Sequence, residues 1–354
     1  MLLHRIHGLR TYTAAYDANG NATTLTYPNA MVATTTYNSD GQATQLAYTA
    51  GGTGVTSGYG STVMTFAQTY NPFGQVATAR SPQSNQVFAY DGLGRLTGVG
   101  DNFQGSCTTR VYPLDGDSNR TAYLLAATTP SGGTCPTSAT GTPSATSIFD
   151  TNGSGQGGSD RIISSTWGSA TGAYSYDALG RQISVPSVDT GGGGSTSPGA
   201  STLTYRADYL TNSMAQGSSC LTYSYDPLGN VVSTNTLAST CTGAASLTTK
   251  NYYGGSSAPA WTTNANGTVT SYFNGITQGN ALNVVTGTSA SPSCLGLATA
   301  SCTLNLSDLR GNIVATAVIT SGVGLVLRCC RNMGPKMRPV FRSFRLKRVT
   351  LMVL

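Results

Sequence analysis

The 354-residue chain has a formal net charge of +6, but eight of its 19 Lys and Arg fall in the last thirty residues, leaving the first 324 at −2. All 13 acids are aspartates, the only histidines are His4 and His7, and charged residues make up 9% of the chain against roughly 25% in an ordinary soluble domain. With 44 Gly and no Glu, these counts argue against a helical protein, against His-dependent catalysis, against zinc sites other than all-Cys ones, and against a generally basic nucleic-acid-binding fold.

In chain order, Met1 to Arg10 offers Arg5 and Arg10 but no apolar core of signal-peptide length, so the true start is expected upstream. One short word then recurs: Tyr16-Asp17-x-x-Gly20, Tyr37-Asn38-x-x-Gly41, Tyr70-Asn71-x-x-Gly74, Tyr90-Asp91-x-x-Gly94, Tyr176-Asp177-x-x-Gly180 and Tyr225-Asp226-x-x-Gly229. Phe149-Asp150-x-x-Gly153 and Ser307-Asp308-x-x-Gly311 are weaker relatives, and undisturbed neighbours are spaced by 20 or 21 residues. A type I turn favours Asp or Asn first, Pro second and Gly fourth, and Pro72 and Pro227 take the second place in two copies. The flanks alternate with period two, as in Leu221, Tyr223 and Tyr225 before one turn and Leu96 after another. Each word therefore predicts a β-hairpin with one buried face, and the fold is expected to be all-β.

With these words, the Tyr27-Pro28-Asn29 step, Asp115-Gly116-Asp117-Ser118-Asn119-Arg120 and Asp308-Leu309-Arg310-Gly311-Asn312, the chain from about 10 to 320 resembles the Rhs or YD-repeat family. Relatives of that family include the teneurin shell and the insecticidal toxin-complex cocoons. The resemblance implies hairpins winding as a spiralling, curved sheet into a hollow shell, which often encloses a C-terminal toxin. Some members bind carbohydrate or mediate cell contact. The partners implied are the remainder of a longer Rhs polypeptide or its toxin domain, and glycans; no cofactor, metal or nucleic acid is implied.

Gly/Ser/Thr-rich stretches at 51–62, 127–147, 152–159 and 186–202 read as surface loops inserted at hairpin ends, since the repeat words resume beyond them. Six cysteines, Cys107, Cys135, Cys220, Cys241, Cys294 and Cys302, bracket inserted loops in neighbouring pairs. Local pairing would close each loop and point to an oxidising, secreted or cell-surface location; free thiols in a reducing compartment are the alternative. No export signal is present in the chain.

After Gly324 the repeat words and the acids stop, while Cys329-Cys330 and eight cations appear. The stretch from Ile313 to Leu327 is too short and too polar for a transmembrane span, and a basic run alone is unspecific for nucleic acid. The preferred reading is a coding frameshift near 324, because reading two nucleotides later permits a Tyr-Gly-x-x-Glu stretch of the kind the family shows there. Residues 1–323 are thus expected to form the repeat region, a partial shell, and 324–354 a disordered tail without a role of its own.

Asp115-x-Asp117-x-Asn119 spells the start of a calcium loop, without the Glu that would close it; a satisfied turn is the plainer reading. Asp189-Thr190-Gly191 spells an aspartic-protease turn, but that chemistry needs two carboxylates sharing a proton, and this one lies beside a Gly-rich loop rather than inside an apolar strand. The repeat aspartates could be imagined as glycosidase pairs, yet recurrence at one turn position argues that each serves its own hairpin. Asp226-Pro227-Leu228-Gly229 shares letters with the self-cleaving core of full-length Rhs proteins but sits inside an ordinary repeat. Trp167, Trp261, Tyr252 and Tyr253 could stack on sugars or fill cross-strand pairs. The expected function is structural, without catalysis, in toxin encapsulation or cell contact; the alternative is a carbohydrate-binding surface module.

Overall fold

The computed structural model describes residues 13–27, 31–50, 62–150, 160–190, 199–238, 240–253, 259–274, 281–285, 302–320 and 323–329. Almost all of the secondary structure is antiparallel strand, with one four-residue helical turn, α1 (Ser187–Thr190). Among the described residues no helix is long and apolar enough to cross a membrane. The chain divides into two compact units, Met1–Ala67 with Leu247–Leu354, and Gln68–Ser246.

The first unit contains β1 (Thr13–Tyr16), β2 (Ala22–Thr26), β3 (Met31–Tyr37), β4 (Ala43–Ala50) and most of β5 (Thr62–Tyr70), each paired with the next. Val and Thr stiffen these short segments in the extended form. Period-two patterning sends Met31 and Ala33, and Leu46 and Tyr48, to the buried face.

The second unit contains β6 (Val76–Arg80), β7 (Ser84–Tyr90), β8 (Leu96–Phe103), β9 (Ser106–Val111), β10 (Ala122–Thr128), β11 (Ala145–Phe149), β12 (Ile162–Trp167) and β13 (Ala170–Ala173) as one ladder. A further ladder joins β14 (Ser175–Tyr176), β15 (Gln182–Val185), β16 (Ser201–Tyr205), β17 (Thr211–Gln216), β18 (Ser219–Tyr225) and β19 (Val231–Ala238). Among the described residues every strand pairing is antiparallel and between chain neighbours, so the ladders stay open.

Back in the first unit, β20 (Ser246–Tyr253), β21 (Pro259–Asn264), β22 (Val269–Asn274), β23 (Ala281–Val285), β24 (Cys302–Ser307), β25 (Ile313–Thr320) and β26 (Val323–Cys329) pair in order. Residues 324–329, read from sequence as the start of a tail, pair with β25 as far as Cys329 against Ala315. The alternating apolar letters of Val323 to Leu327 are enough to extend the ladder. Residues 330–354 lie outside the described residues.

Two inserted loops are packed onto strand glycines. Cys107 and Cys135 form a disulfide, and the loop it closes lies over β8. A Cβ on Gly98 would sit 2.0 Å from the Thr137 carbonyl oxygen, and one on Gly100 would sit 2.2 Å from that of Cys135. Gly98 to Asp101 are all buried. Gly172 receives Pro186 and Val188 in the same way. Cys220 and Cys241 form a second disulfide, whereas Cys294, the expected partner of Cys302, lies outside the described residues.

Candidate functional site

The repeat word builds one local structure wherever it occurs. In the Asp226 copy, the backbone N–H of Asp226 donates to the Asn230 carbonyl (3.0 Å) and that of Gly229 to the Asp226 carbonyl (3.0 Å). The Asp226 carboxylate accepts from the N–H groups of Leu228 and Asn230, both at 2.9 Å, and from the Asn230 amide. This is a type I turn followed by a left-handed residue, the three-residue hairpin loop with a bulge. Gly20, Gly41, Gly74, Gly94, Gly180, Gly229 and Gly311 all have φ between 75° and 83°. Identical bulged registers follow, as in Tyr37↔Ala43 beside Thr36↔Gln45 and Tyr225↔Val231 beside Ser224↔Ser233.

Three further turns of this kind escape the sequence word. Asn264 to Gly267 has Thr263 in the tyrosine place. Asp115 to Ser118 and Arg206 to Tyr209 put Ser118 (φ 75°) and Tyr209 (φ 66°) where glycine is usual. An Asn-x-x-Gly search without the tyrosine would have found the first; in the other two the glycine signal itself is missing. Of the weaker relatives, Asp308 to Gly311 forms the full turn. Asp150 instead pairs with Arg161 at the base of a longer loop, and Gly153 lies outside the described residues.

The tyrosine has a job that the sequence does not spell out. Its hydroxyl donates to the carbonyl of the residue that opens the outgoing strand of the preceding hairpin: Tyr37 to Ala22 (2.9 Å), Tyr90 to Val76 (2.9 Å), Tyr176 to Ile162 (2.7 Å), Tyr205 to Gln182 (2.7 Å) and Tyr225 to Thr211 (2.7 Å). Tyr70 accepts instead from the Gln68 amide, and Tyr16 is exposed.

The residue after the turn glycine reaches forward. Gln75 donates to the Gly94 carbonyl (2.7 Å), Arg95 to that of Asp115 (2.8 Å) and Arg181 to that of Arg206 (3.3 Å). Arg161, Arg181 and Arg206 also lie over the rings of Tyr176, Tyr205 and Tyr225. These three hairpins are thereby tied to the hairpin that follows, whereas Asn21, Asn230 and Asn312 in the same place donate to the carboxylate of their own turn.

Charge in the site is spent locally. Hydrogen bonds from the side chain of Asn21 to Asp17 and of Asn230 to Asp226, and from the backbone of Arg95 to Asp91, hold these carboxyls below their usual range. Burial pushes the Tyr37, Tyr176 and Tyr225 hydroxyls up. A depressed carboxyl contributes stability that is lost as pH falls below about 4; a raised phenol contributes stability that is lost as pH rises past about 10. Thermal melts are therefore expected to be flat between about pH 5 and 8 and to fall outside about pH 4 and 10. A melting point that changes steeply between pH 5 and 8, or that holds steady below pH 4 and above pH 10, would contradict this. Gly229→Ala, whose Cβ would make only an ordinary contact with Leu210 at 3.9 Å but at φ 82°, is expected to cost about 1–2 kcal/mol in denaturant melts.

The other singled-out residues are likewise engaged. Asp115 accepts the N–H groups of Asp117 (3.0 Å) and Asn119 (2.8 Å), and Asn119 also donates to Asp160. Asp189 accepts from the Trp167 indole (3.1 Å) and the Tyr174 hydroxyl, fastening α1. Trp261 stacks on its cross-strand partner Tyr252 at 5.0 Å, Tyr253 pairs with Pro259, and Trp167 tilts against Tyr123 at 5.8 Å. Among the described residues no group of three or more His, Cys or Asp could hold a metal.

No protein-family model and no curated protein matches the sequence. Solved structures do match. One titled TcdB2-TccC3 is 14% identical with a TM-score of 0.41, over 87% of this chain and 18% of that one. TcdB2-TccC3 without its hypervariable C-terminal region is 9% identical with a TM-score of 0.42, over 90% and 16%. A Photorhabdus luminescens Tc holotoxin pore is 10% identical with a TM-score of 0.39, over 88% and 18%. The chain spans less than a fifth of each of these.

Proposed function

We propose that the chain is a structural segment of a secreted or cell-surface Rhs/YD-repeat protein, a stretch of shell wall that encloses a toxin or scaffolds cell contact and performs no catalysis of its own. The observation behind this reading is the repeated hairpin. In it the Asp or Asn side chain closes its own turn, the tyrosine binds the hairpin before in four of the six copies, and in three the side chain after the glycine binds the hairpin after. A residue set used this way makes wall, one unit after another, and its acids are committed to turn N–H groups. Two disulfides fit an oxidising location. The carbohydrate-binding alternative gains nothing from the aromatics, because Trp261 and Trp167 lie against Tyr252 and Tyr123.

The coding DNA around and beyond codon 324 tests the reading. Further repeat words in another frame, with a downstream domain that becomes protease-resistant when co-expressed with this chain, are the expected result. Hydrolytic activity that vanishes on Asp226→Ala with the fold retained would overturn it.

A further inference from the structure

The two disulfides stand in different surroundings. Cys107 and Cys135 are both buried, and the chain beside Cys135 is seated by more than the covalent bond. The Thr109 hydroxyl donates to the Pro136 carbonyl (2.7 Å), and the Thr137 and Cys135 carbonyl oxygens stand where Cβ atoms of Gly98 and Gly100 would be. If that disulfide opens, the loop still rests on β8 and β9. Cys220 is fully buried in β18, but its partner Cys241 is partly exposed. From Ala238 to Thr248 every described residue other than Cys241 is exposed, Leu247 included. The Cys241 N–H turns back to the Ala238 carbonyl (2.9 Å) and Thr240 pairs with Thr242 (2.8 Å), both inside the stretch. Cys241 also has φ 57°, in the left-handed region that side chains other than Asn and Asp seldom take. Along this stretch the chain leaves the second unit at Ser246 and enters the first at Leu247. A segment whose described residues bury no apolar side chain is weakly held by packing. Here a covalent bond to a buried strand residue supplies the hold.

We propose that Cys220–Cys241 is a redox-sensitive latch on this connecting segment, opened by a small thiol of the glutathione class while Cys107–Cys135 stays closed. Thiol–disulfide exchange needs a thiolate to reach one sulfur, and exposed or strained disulfides are the labile ones. Cys241 is the reachable partner. The incoming thiolate bonds to the Cys241 sulfur as the Cys220–Cys241 bond breaks, and Cys220 leaves as a thiolate that takes a proton from water. A second thiol then displaces the first from Cys241; the two reductant molecules depart joined as a disulfide, and Cys241 is left a thiol. Two electrons enter the protein and two reductant thiols are oxidised. The freed Cys220 remains in β18 as a small apolar side chain, and Cys241 is released to leave the left-handed region. Passage from an oxidising to a reducing compartment thus loosens the connecting segment and leaves the hairpins standing.

The native full chain, titrated with reduced against oxidised glutathione, tests this. Thiols are trapped with iodoacetamide, each disulfide is followed by peptide mass spectrometry, and subtilisin reports cutting between residues 239 and 248. Cys220–Cys241 is expected to open at a thiol concentration roughly tenfold or more below that needed for Cys107–Cys135. Cutting between 239 and 248 is expected to quicken by roughly tenfold at the same point, with circular dichroism unchanged. A chain carrying Cys220→Ala and Cys241→Gly is expected to be cut at the faster rate with no thiol present. Opening of both disulfides together, or of Cys107–Cys135 first, would overturn the proposal. So would a reduced chain cut no faster between 239 and 248 than the oxidised one, or loss of the β-sheet spectrum when Cys220–Cys241 alone is open.

Discussion

Changing Gly100 to alanine is expected to lower the stability of the second unit by about 2–4 kcal/mol, while Gly92→Ala, only eight positions earlier, raises it by about 0.5 kcal/mol. The two glycines differ in what a methyl group would meet. At Gly92 nothing lies within 4 Å and φ is unremarkable; at Gly100 the Cys135 and Pro136 carbonyl oxygens stand 2.2 and 2.6 Å from the new carbon. Backbone atoms cannot rotate aside as a side-chain end could, so the loop must lift. Its lifting also breaks the bond from the buried Thr109 hydroxyl, opposite Gly100 on the same face, to the Pro136 carbonyl (2.7 Å). The disulfide opposes that release because it pins the loop at Cys107. Removing both cysteines is expected to cost about 3 kcal/mol alone, and with them gone alanine at 100 becomes cheaper, since the loop can yield. The two changes are therefore expected to be sub-additive by 1 kcal/mol or more in a double-mutant cycle. Strict additivity, or a neutral Gly100→Ala, would show that the loop does not rest on β8.

Much of this fold can be read in the letters because its unit is local. The Asp or Asn, the glycine and the period-two flanks specify a hairpin within a dozen residues, and the all-β antiparallel architecture follows from repeating it. What could not be read is whatever depends on the next hairpin or on chain far away. The tyrosine is invariant in the word, yet nothing in the word says that its hydroxyl lands on a carbonyl 14 or 15 residues back. Gly98 and Gly100 look like weak strand positions, and their purpose appears only when a loop from residues 135–137 is laid upon them. Tyr209 adopts a φ value that glycine would have announced, and without that letter its turn passes unnoticed, whereas the Ser118 turn was legible from its Asp115-x-Asp117-x-Asn119 spelling. Asp189, a misleading three-letter resemblance in the sequence, turns out to be a fastener between a loop and two aromatics. The division into two units was likewise invisible, because one of them is assembled from both ends of the chain.

That assembly makes Tyr48→Phe the most informative change in the first unit. Tyr48 is fully buried; its hydroxyl donates to the Ser307 carbonyl (3.0 Å) and accepts from the Ser307 N–H (3.2 Å), joining β4 to β24 across 259 residues of chain. The repeat tyrosines make a similar bond, but across one hairpin and at a partly wet site, where water can replace the lost partner. Tyr225→Phe is thus expected to cost about 1 kcal/mol or less. At Tyr48 the phenyl ring keeps its packing beside Tyr27, and no water is at hand to serve two backbone groups of a buried serine. The expected cost is about 2–4 kcal/mol, with hydrogen exchange quickening at 302–307 as well as at 43–50, since both segments lose the same bond. Burial also pushes the Tyr48 hydroxyl up, so its contribution to stability is present below about pH 10 and lost above it. The phenylalanine variant is accordingly expected to lose less on going from pH 9 to 11 than the native chain does. A variant as stable as the native protein, or one whose faster exchange stays confined to β4, would mean that the two ends of the chain are held together by apolar contact alone.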